Sequence, residues 1–491
     1  MPSRVPPLRC SAQGDIRADG RWVLYWMTAT RRTRANHALD RAIELARQLD
    51  RPLLVLEALR CDYRWASPRF HRFVLDGMGD NARALTAAGV TYYPFVETRP
   101  GEGRGLLERL AEDACAVVAD HSPVFFLPAM LEAARSRITV RFEAIDSVGL
   151  LPLRSSDRAR FRAYDFRRLL QRELPAQLAH TALRAPLRRL ALRPLPALPE
   201  DVARRWPAAP LAEIGLVNGG LDLAAMPLDH AVAPVEEEGG SRAGQAALRR
   251  FVRDVLPHYG ERRNHPDQEG TSGLSAYLHF GHLSAQEVFD AVTAADDWTP
   301  ERLSRHVTGK REGWWGLSPS AEAFVDQLLT WRELGQHFCF HRPDHSEYAS
   351  LPDWARTSLA EHATDPRPYV YSHERFEQAD THDPLWNAAQ RQLRETGVIH
   401  NAVRMLWGKK ILHWSASPEE AWETLFALND RWALDGRDPN SSSGIGWALG
   451  RFDRAWGPER PVFGKVRYMT SDSSRRKWRL KAWLERWSGA E

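Results

Sequence analysis

Short apolar runs alternate with amphipathic stretches over the first 150 residues. WVLYWM (22–27) is apolar over strand length, and ANHALDRAIELARQLD (35–50) repeats its apolar positions with helical periodicity. PLLVLEA (52–58) precedes a helical stretch from about 70 to 88. VTYYPFVE (90–97), a helix over 104–113, ACAVVAD (114–120) and ITVRFEAID (138–146) continue the alternation. Strands alternating with helices predict parallel βαβ units and an open α/β sheet. No GxGxxG follows the first strand, so the usual dinucleotide fingerprint is absent.

The pattern then changes. LRAPLRRLALRPLPALPEDVARRWPAAP (183–210) is rich in Pro and Arg, which disfavours regular structure and reads as a connection between domains. From about residue 244 the chain is helical and aromatic, and strand-like alternation nearly vanishes. The expected organisation is an α/β domain over 1–182, a linker over 183–243 and a mostly α domain over 244–491.

Composition narrows the field. The 491 residues are 43% hydrophobic and 26% charged, an ordinary globular mixture. No run reaches the ~18 apolar residues of a membrane helix. The first twenty residues lack a signal-peptide core, so a cytoplasmic location is expected. Cys10, Cys61, Cys115 and Cys339 show no CxxC spacing, which argues against a zinc ribbon, a four-Cys cluster or a disulfide framework. Nineteen tryptophans is an unusual count, and composition cannot tell core packing from base stacking or electron transfer. Charge is concentrated: eleven Lys/Arg against four Asp/Glu give Arg451–Trp487 a net +7, whereas the whole chain carries +4. A basic C-terminal stretch suits a polyanion such as nucleic acid.

Three segments of the helical half carry chemistry. GTSGLSAYLHFGHLS (270–284) is a turn of hydroxyls and glycines entering a helix, a weak phosphate-binding signal. THDPLWNAAQRQLRETGVIHNAVRMLWGKKILHW (381–414) sets Trp407 and Trp414 seven residues apart on one helix face, roughly 10 Å along the axis. LNDRWALDGRDPNSSSGIGWALGRFDRAWGPERPVFGKVRYM (428–469) is dense in Asp, Asn and Gly and then turns basic.

Together these segments resemble the DNA photolyase/cryptochrome family, most closely its class II cyclobutane-dimer photolyases. THDPLWNA, LDGRDPN and ERPVFGK carry the likeness, which extends in weaker form across the chain. The resemblance implies a Rossmann-like antenna-type domain followed by an all-α domain that binds FAD. It implies a carbon–carbon lyase in which excited reduced FAD splits a pyrimidine dimer, acting as a monomer on damaged DNA without a metal or a membrane.

By the same resemblance, Tyr259, Thr271, Ser272, Gly273, Leu274 and Ser275 hold the phosphates and ribityl chain of FAD, with Arg332 near the diphosphate. Arg404, Asp435 and Gly436 lie beside the isoalloxazine, and Asn429 faces flavin N5. An amide can serve N5 as acceptor or donor, and a nearby Arg stabilises an anionic reduced flavin. Trp407, Trp386 and Trp414 match an electron-transfer chain, with Trp414 at the surface. Trp331, Met405 and Trp447 match the walls of a pocket for the flipped dimer, with Arg263 and Asn264 on its rim. Trp456 and Arg467 match groups that support the gap in the duplex and the flanking phosphates.

The chain also departs from the class II pattern. Asn401 follows His400 where glycine is usual, Gln327 stands where a glutamate meets the dimer, and Ser441-Ser442 replaces Gly-Tyr. LSPYL has become LSAYL at Ala276, and Thr28–Arg31 replaces the usual Arg-Asp-Gln-Arg, so the antenna chromophore is unassigned. A cryptochrome-like photoreceptor is the alternative reading. The absence of a long C-terminal extension after Arg467 favours repair.

Overall fold

The apolar runs of the N-terminal third pair into one sheet with the strand order β1-β6-β5-β2-β3-β4. The strands are β1 (Cys10–Gln13), β2 (Trp22–Met27), β3 (Leu53–Leu59), β4 (Thr91–Val96), β5 (Ala114–His121) and β6 (Arg141–Asp146). The structure is a computed structural model that describes residues 3–195, 197–211 and 221–489. Residues 196 and 212–220 of the expected linker lie outside that description. β2 to β6 pair in parallel, and the edge strand β1 runs antiparallel to β6. Helices α1 (His37–Leu49), α2 (Pro68–Ala87), α3 (Leu106–Glu112) and α4 (Leu127–Arg137) follow successive parallel strands. Every residue of β2 is buried, as a continuous apolar run requires when both sheet faces are covered.

The crevice of such a sheet lies where the strand order reverses, here between β2 and β5. It is filled from within. The backbone N–H groups of Thr28, Ala29 and Thr30 all donate to Asp120 Oδ2 at 2.8–2.9 Å, and Tyr25 Oη donates to Asp120 Oδ1. The segment that departs from the class II pattern is therefore a backbone nest around the protein's own carboxylate.

Internal contacts divide the chain into two compact units. The first comprises Met1–Ser155, Glu173–Leu248 and Leu274–Ala291; the second comprises Ser156–Arg172, Arg249–Gly273 and Val292–Glu491. The stretch read as a linker is not a free connection where it is described. Val202 and Trp206 join the sheet's core, and Arg109 pairs with Asp201 at 2.8 Å.

Among the described residues of the second unit, the regular secondary structure is helical apart from one isolated bridge, Arg460–Gly464. Five helices carry the expected site: α5 (Arg332–His341), α6 (Pro384–Thr396), α7 (Asn401–Trp414), α8 (Pro418–Trp432) and α9 (Pro439–Ala448). Asp383, Ser417 and Asp438 cap α6, α8 and α9 through their side chains, and each is followed by proline at the first helical position. Gly335 lets α5 meet α9 closely, since a Cβ there would lie 2.5 Å from Ser443 Oγ. Among the described residues no helix is long and apolar enough to cross a membrane.

Candidate functional site

Helix α7 organises the centre. Arg404 and Trp407 are one turn apart on it, and Arg404 donates to Asp435 Oδ1 at 2.9 Å, both side chains being largely buried. Asp435 is held in turn, because its carbonyl accepts the Ser441 hydroxyl at 2.6 Å. Gly436 is needed there: a Cβ would stand 2.7 Å from the Asn429 carbonyl. Asn429 is buried near the end of α8, and its amide nitrogen donates to Asp430 Oδ1 at 3.0 Å. Asp430 also accepts the Arg437 amide at 2.8 Å, so the 429–437 loop is fixed from both ends.

Three tryptophan rings are in contact. Trp386 stacks on Trp407 with centroids 6.5 Å apart and planes within 5°, and Trp386 meets Trp414 edge-on at 6.2 Å. Trp386 Nε1 donates to the Trp407 carbonyl and Trp407 Nε1 donates to Gln390 Oε1, each at 3.0 Å. Both indole N–H groups are thus satisfied inside the protein, as buried tryptophans require. One expectation is corrected here. Trp414 does not reach the surface; it is 1% exposed, and Tyr371 and His382 pack edge-on against its ring.

The expected phosphate-binding residues each have their own surroundings. Tyr259 is buried edge-on against Phe251 and Phe324, with the Arg263 guanidinium over its ring, and burial raises its phenol pKa. Thr271 and Ser275 are exposed, Ser272 is half-buried and Leu274 is buried. Gly273 takes φ +66°, a conformation that favours glycine. Arg332 is buried at the start of α5.

The residues expected to meet DNA lie on several elements. A π-helical turn, Asp326–Trp331, precedes α5 and carries Gln327 and Trp331, both half-buried. Such one-turn bulges inside helices are frequent at functional sites. Neighbouring Asp326 is occupied, since Arg167 binds it bidentately at 2.7 and 3.1 Å. Gln327, not Asp326, is the side chain left for a ligand. Asn401 is exposed at the first position of α7, and Met405 reaches towards Gly444 of α9. Asn264 is exposed beside half-buried Arg263.

Trp447 and Trp456 lie under cations. The Lys409 ammonium stands 4.6 Å from the Trp447 ring centre, and the Arg467 guanidinium stands 4.0 Å from that of Trp456 and 5.5 Å from that of Trp447. Arg467 is not a free phosphate contact, because Asp453 binds it at 2.8 and 3.1 Å and also accepts from Trp456 Nε1. Arg451, counted in the basic stretch, is fully buried and donates to the carbonyls of Ser442 and His345. The exposed positive charge is therefore smaller than the sequence count.

Sequence reasoning missed Lys409, Asp453 and Gln390. Lys409 caps the end of α9 by donating to the Trp447 and Ala448 carbonyls at 3.3 and 2.7 Å, and burial pulls its pKa down to about 7. The WGKK run was visible, but a buried lysine cannot be told from a solvated one by spacing. The Ser441-Ser442 departure has a structural role: Ser441 holds the Asp435 loop, and Ser442 Oγ lies 3.1 Å from His345 Nδ1.

The residues present fit a flavin. His400, one turn before Arg404, has both ring nitrogens buried without a hydrogen-bond partner, and burial lowers its pKa to about 4. An orphaned neutral imidazole beside a paired Arg–Asp is the kind of polar surface a bound cofactor completes. Residues 324–425 match the FAD binding domain of DNA photolyase. The chain is 32% identical over 477 residues to a deoxyribodipyrimidine photo-lyase of Methanothermobacter thermautotrophicus, covering 97% of this chain and 96% of that protein. It is 32% identical over 479 residues to one of Oryza sativa subsp. japonica, covering 94% and 86% of the two chains. A bacterial class III photolyase structure from Agrobacterium tumefaciens shares the fold with a TM-score of 0.66 at 18% identity, over 95% of this chain and 86% of that one.

Proposed function

The chain belongs to the DNA photolyase family, and we propose that it is a light-driven repair enzyme for cyclobutane pyrimidine dimers in DNA, of the class II kind. FAD is its cofactor. The observation that carries the reading is the unbroken contact of Trp407, Trp386 and Trp414 starting one turn from the Arg404–Asp435 pair. We assign 244–491 as the catalytic domain and 1–182 as an antenna-type domain.

When bound in its reduced form, FAD supplies the light-driven electron that opens the cyclobutane ring and then takes it back, with no net redox change. The chain's own groups do the rest. Tyr259, the 271–275 turn and Arg332 hold the phosphates and ribityl chain. Arg404 would set a fixed positive charge beside the flavin ring, and Asp435 keeps that guanidinium oriented. Asn429 would face N5, and with its nitrogen engaged by Asp430 its oxygen would be the group it offers. Trp407 hands electrons inward from Trp386 and Trp414, and Gln390 keeps its indole from turning.

On the DNA side, Trp447 and Trp331 would stack on the flipped dimer, with Met405 as a further part of the pocket wall. Gln327 hydrogen-bonds the dimer through an amide in place of a carboxyl. Arg263, Asn264 and Asn401 rim the pocket. Trp456 with Arg467 fills the gap left in the duplex.

The test is blue light on a thymine-dimer oligonucleotide with the chemically reduced protein. Restored thymines support the reading. Tight binding of the damaged strand without repair would instead favour a photoreceptor.

A further inference from the structure

The buried position of Trp414 leaves the electron path without an outlet at its expected end, and the surroundings of that ring supply one. Tyr371 donates its backbone N–H to the Trp414 carbonyl at 2.9 Å, and its ring meets the indole edge-on at 5.8 Å. Its hydroxyl accepts the His382 backbone N–H at 3.0 Å and lies 2.7 Å from His382 Nδ1. In the His382 tautomer protonated at Nε2, the phenol donates its proton to Nδ1 while it accepts the backbone N–H. Burial lowers the His382 pKa, which keeps the ring neutral and able to receive a proton. Tyr369, 45% exposed, stacks on the outer face of His382 with centroids 3.6 Å apart.

We propose that the electron path continues past Trp414 to Tyr371, with His382 as its proton acceptor and the exposed Tyr369–His382 stack as the place where an external reductant is met. The proposal rests on the reading of Trp407, Trp386 and Trp414 as a redox chain. Charge placement favours the extra step. The Lys410 ammonium stands 5.0 Å from the Trp414 ring centre, so a positive hole there is repelled. On Tyr371 the hole need not remain charged, because the proton leaves. In the step, Tyr371 gives one electron to oxidised Trp414, its O–H bond breaks, and the proton passes to His382 Nδ1 to give a neutral tyrosyl radical and an imidazolium. A one-electron donor such as a thiolate then reduces the radical, and the proton returns from His382 to the phenol.

The test is electron paramagnetic resonance on the FAD-loaded protein, frozen under blue light with and without a thiol. The expected result is a neutral tyrosyl signal in the parent that a thiol quenches. It should be absent in Tyr371→Phe, where tryptophan radical remains and recombines faster, and present in Tyr369→Phe. Deuterated solvent should slow the rise of the tyrosyl signal several-fold in the parent, a readout that needs no variant to fold. A parent that photoreduces but shows only tryptophan radical would overturn the extension alone. A tyrosyl signal that survives Tyr371→Phe would also overturn it. A parent that shows no radical and no photoreduction would remove the redox chain itself, and the extension with it.

Discussion

Two groups of tryptophans share the helical unit and sit in opposite surroundings. Trp386, Trp407 and Trp414 are at most 3% exposed, touch ring to ring, and the first two spend their indole N–H groups on other parts of the protein. Trp447 and Trp456 are half-buried, touch cations rather than each other, and lie beside the basic C-terminal stretch. The first arrangement excludes water and fixes ring separations, which suits electron transfer. The second leaves an aromatic face and positive charge at the surface, which suits stacking on bases and pairing with phosphates. Residue type is the same in both; environment assigns the role.

Lys409 offers the strongest way to test the surface group. Its pKa is lowered from 10.5 to about 7 by burial, with Asp453 opposing and Arg467 adding to the shift. Between those pH values the unfolded chain binds the extra proton, so stability rises with pH across that window; below pH 7 the folded protein bears the full cost of the buried ammonium. Lys409→Met should remove this slope. Melting curves of parent and variant from pH 7 to 10 should diverge by a few kcal/mol in total, at about 1.4 kcal/mol per pH unit. Parallel curves would mean that Lys409 stays protonated and well hydrated in the folded protein.

Asp435→Ala sharpens the buried side. It leaves Arg404 unpaired beside the flavin position, and an added loss of roughly 1.5–3 kcal/mol in FAD affinity is expected from a charged hydrogen bond. Flavin titration of the stripped protein measures it, and unchanged affinity would place the isoalloxazine elsewhere.

The smallest effect is expected at Arg467. Removing it should weaken damaged and undamaged duplex alike and flatten the salt slope by at most about one unit, since Asp453 already neutralises part of its charge. Selective loss on damaged DNA alone would make Arg467 a lesion contact.

Much of the fold was legible. The runs at 22–27, 52–58, 90–97, 114–120 and 138–146 are strands β2 to β6, because an apolar run bounded by turns has few alternatives in an α/β sheet. β1 was missed: Cys10–Gln13 is four residues long, mixed in polarity, and defined by pairing with β6, 130 residues away in sequence. The capture of Thr28–Thr30 by Asp120 is equally non-local, since it exists only because β2 and β5 are neighbours. In the helical unit the resemblance named residues that the structure brings together around α7, but it could not supply burial. It placed Trp414 at the surface, and it gave no hint that Tyr371 and His382, from a Pro-rich loop and a helix cap, would pack against that ring.

The central claim is the division between the two tryptophan groups, and one crossed experiment tests it most directly. Trp407→Phe and Trp447→Ala are each assayed for photoreduction with a thiol and for affinity to thymine-dimer duplex. Trp407→Phe should abolish photoreduction while dimer affinity, and repair by the chemically reduced protein, stay near the parent's. Trp447→Ala should photoreduce normally and lose about 1–3 kcal/mol of affinity for damaged DNA only. If both variants lost both properties, or if Trp407→Phe photoreduced as the parent does, the tryptophans would be a shared packing core and the division would be wrong.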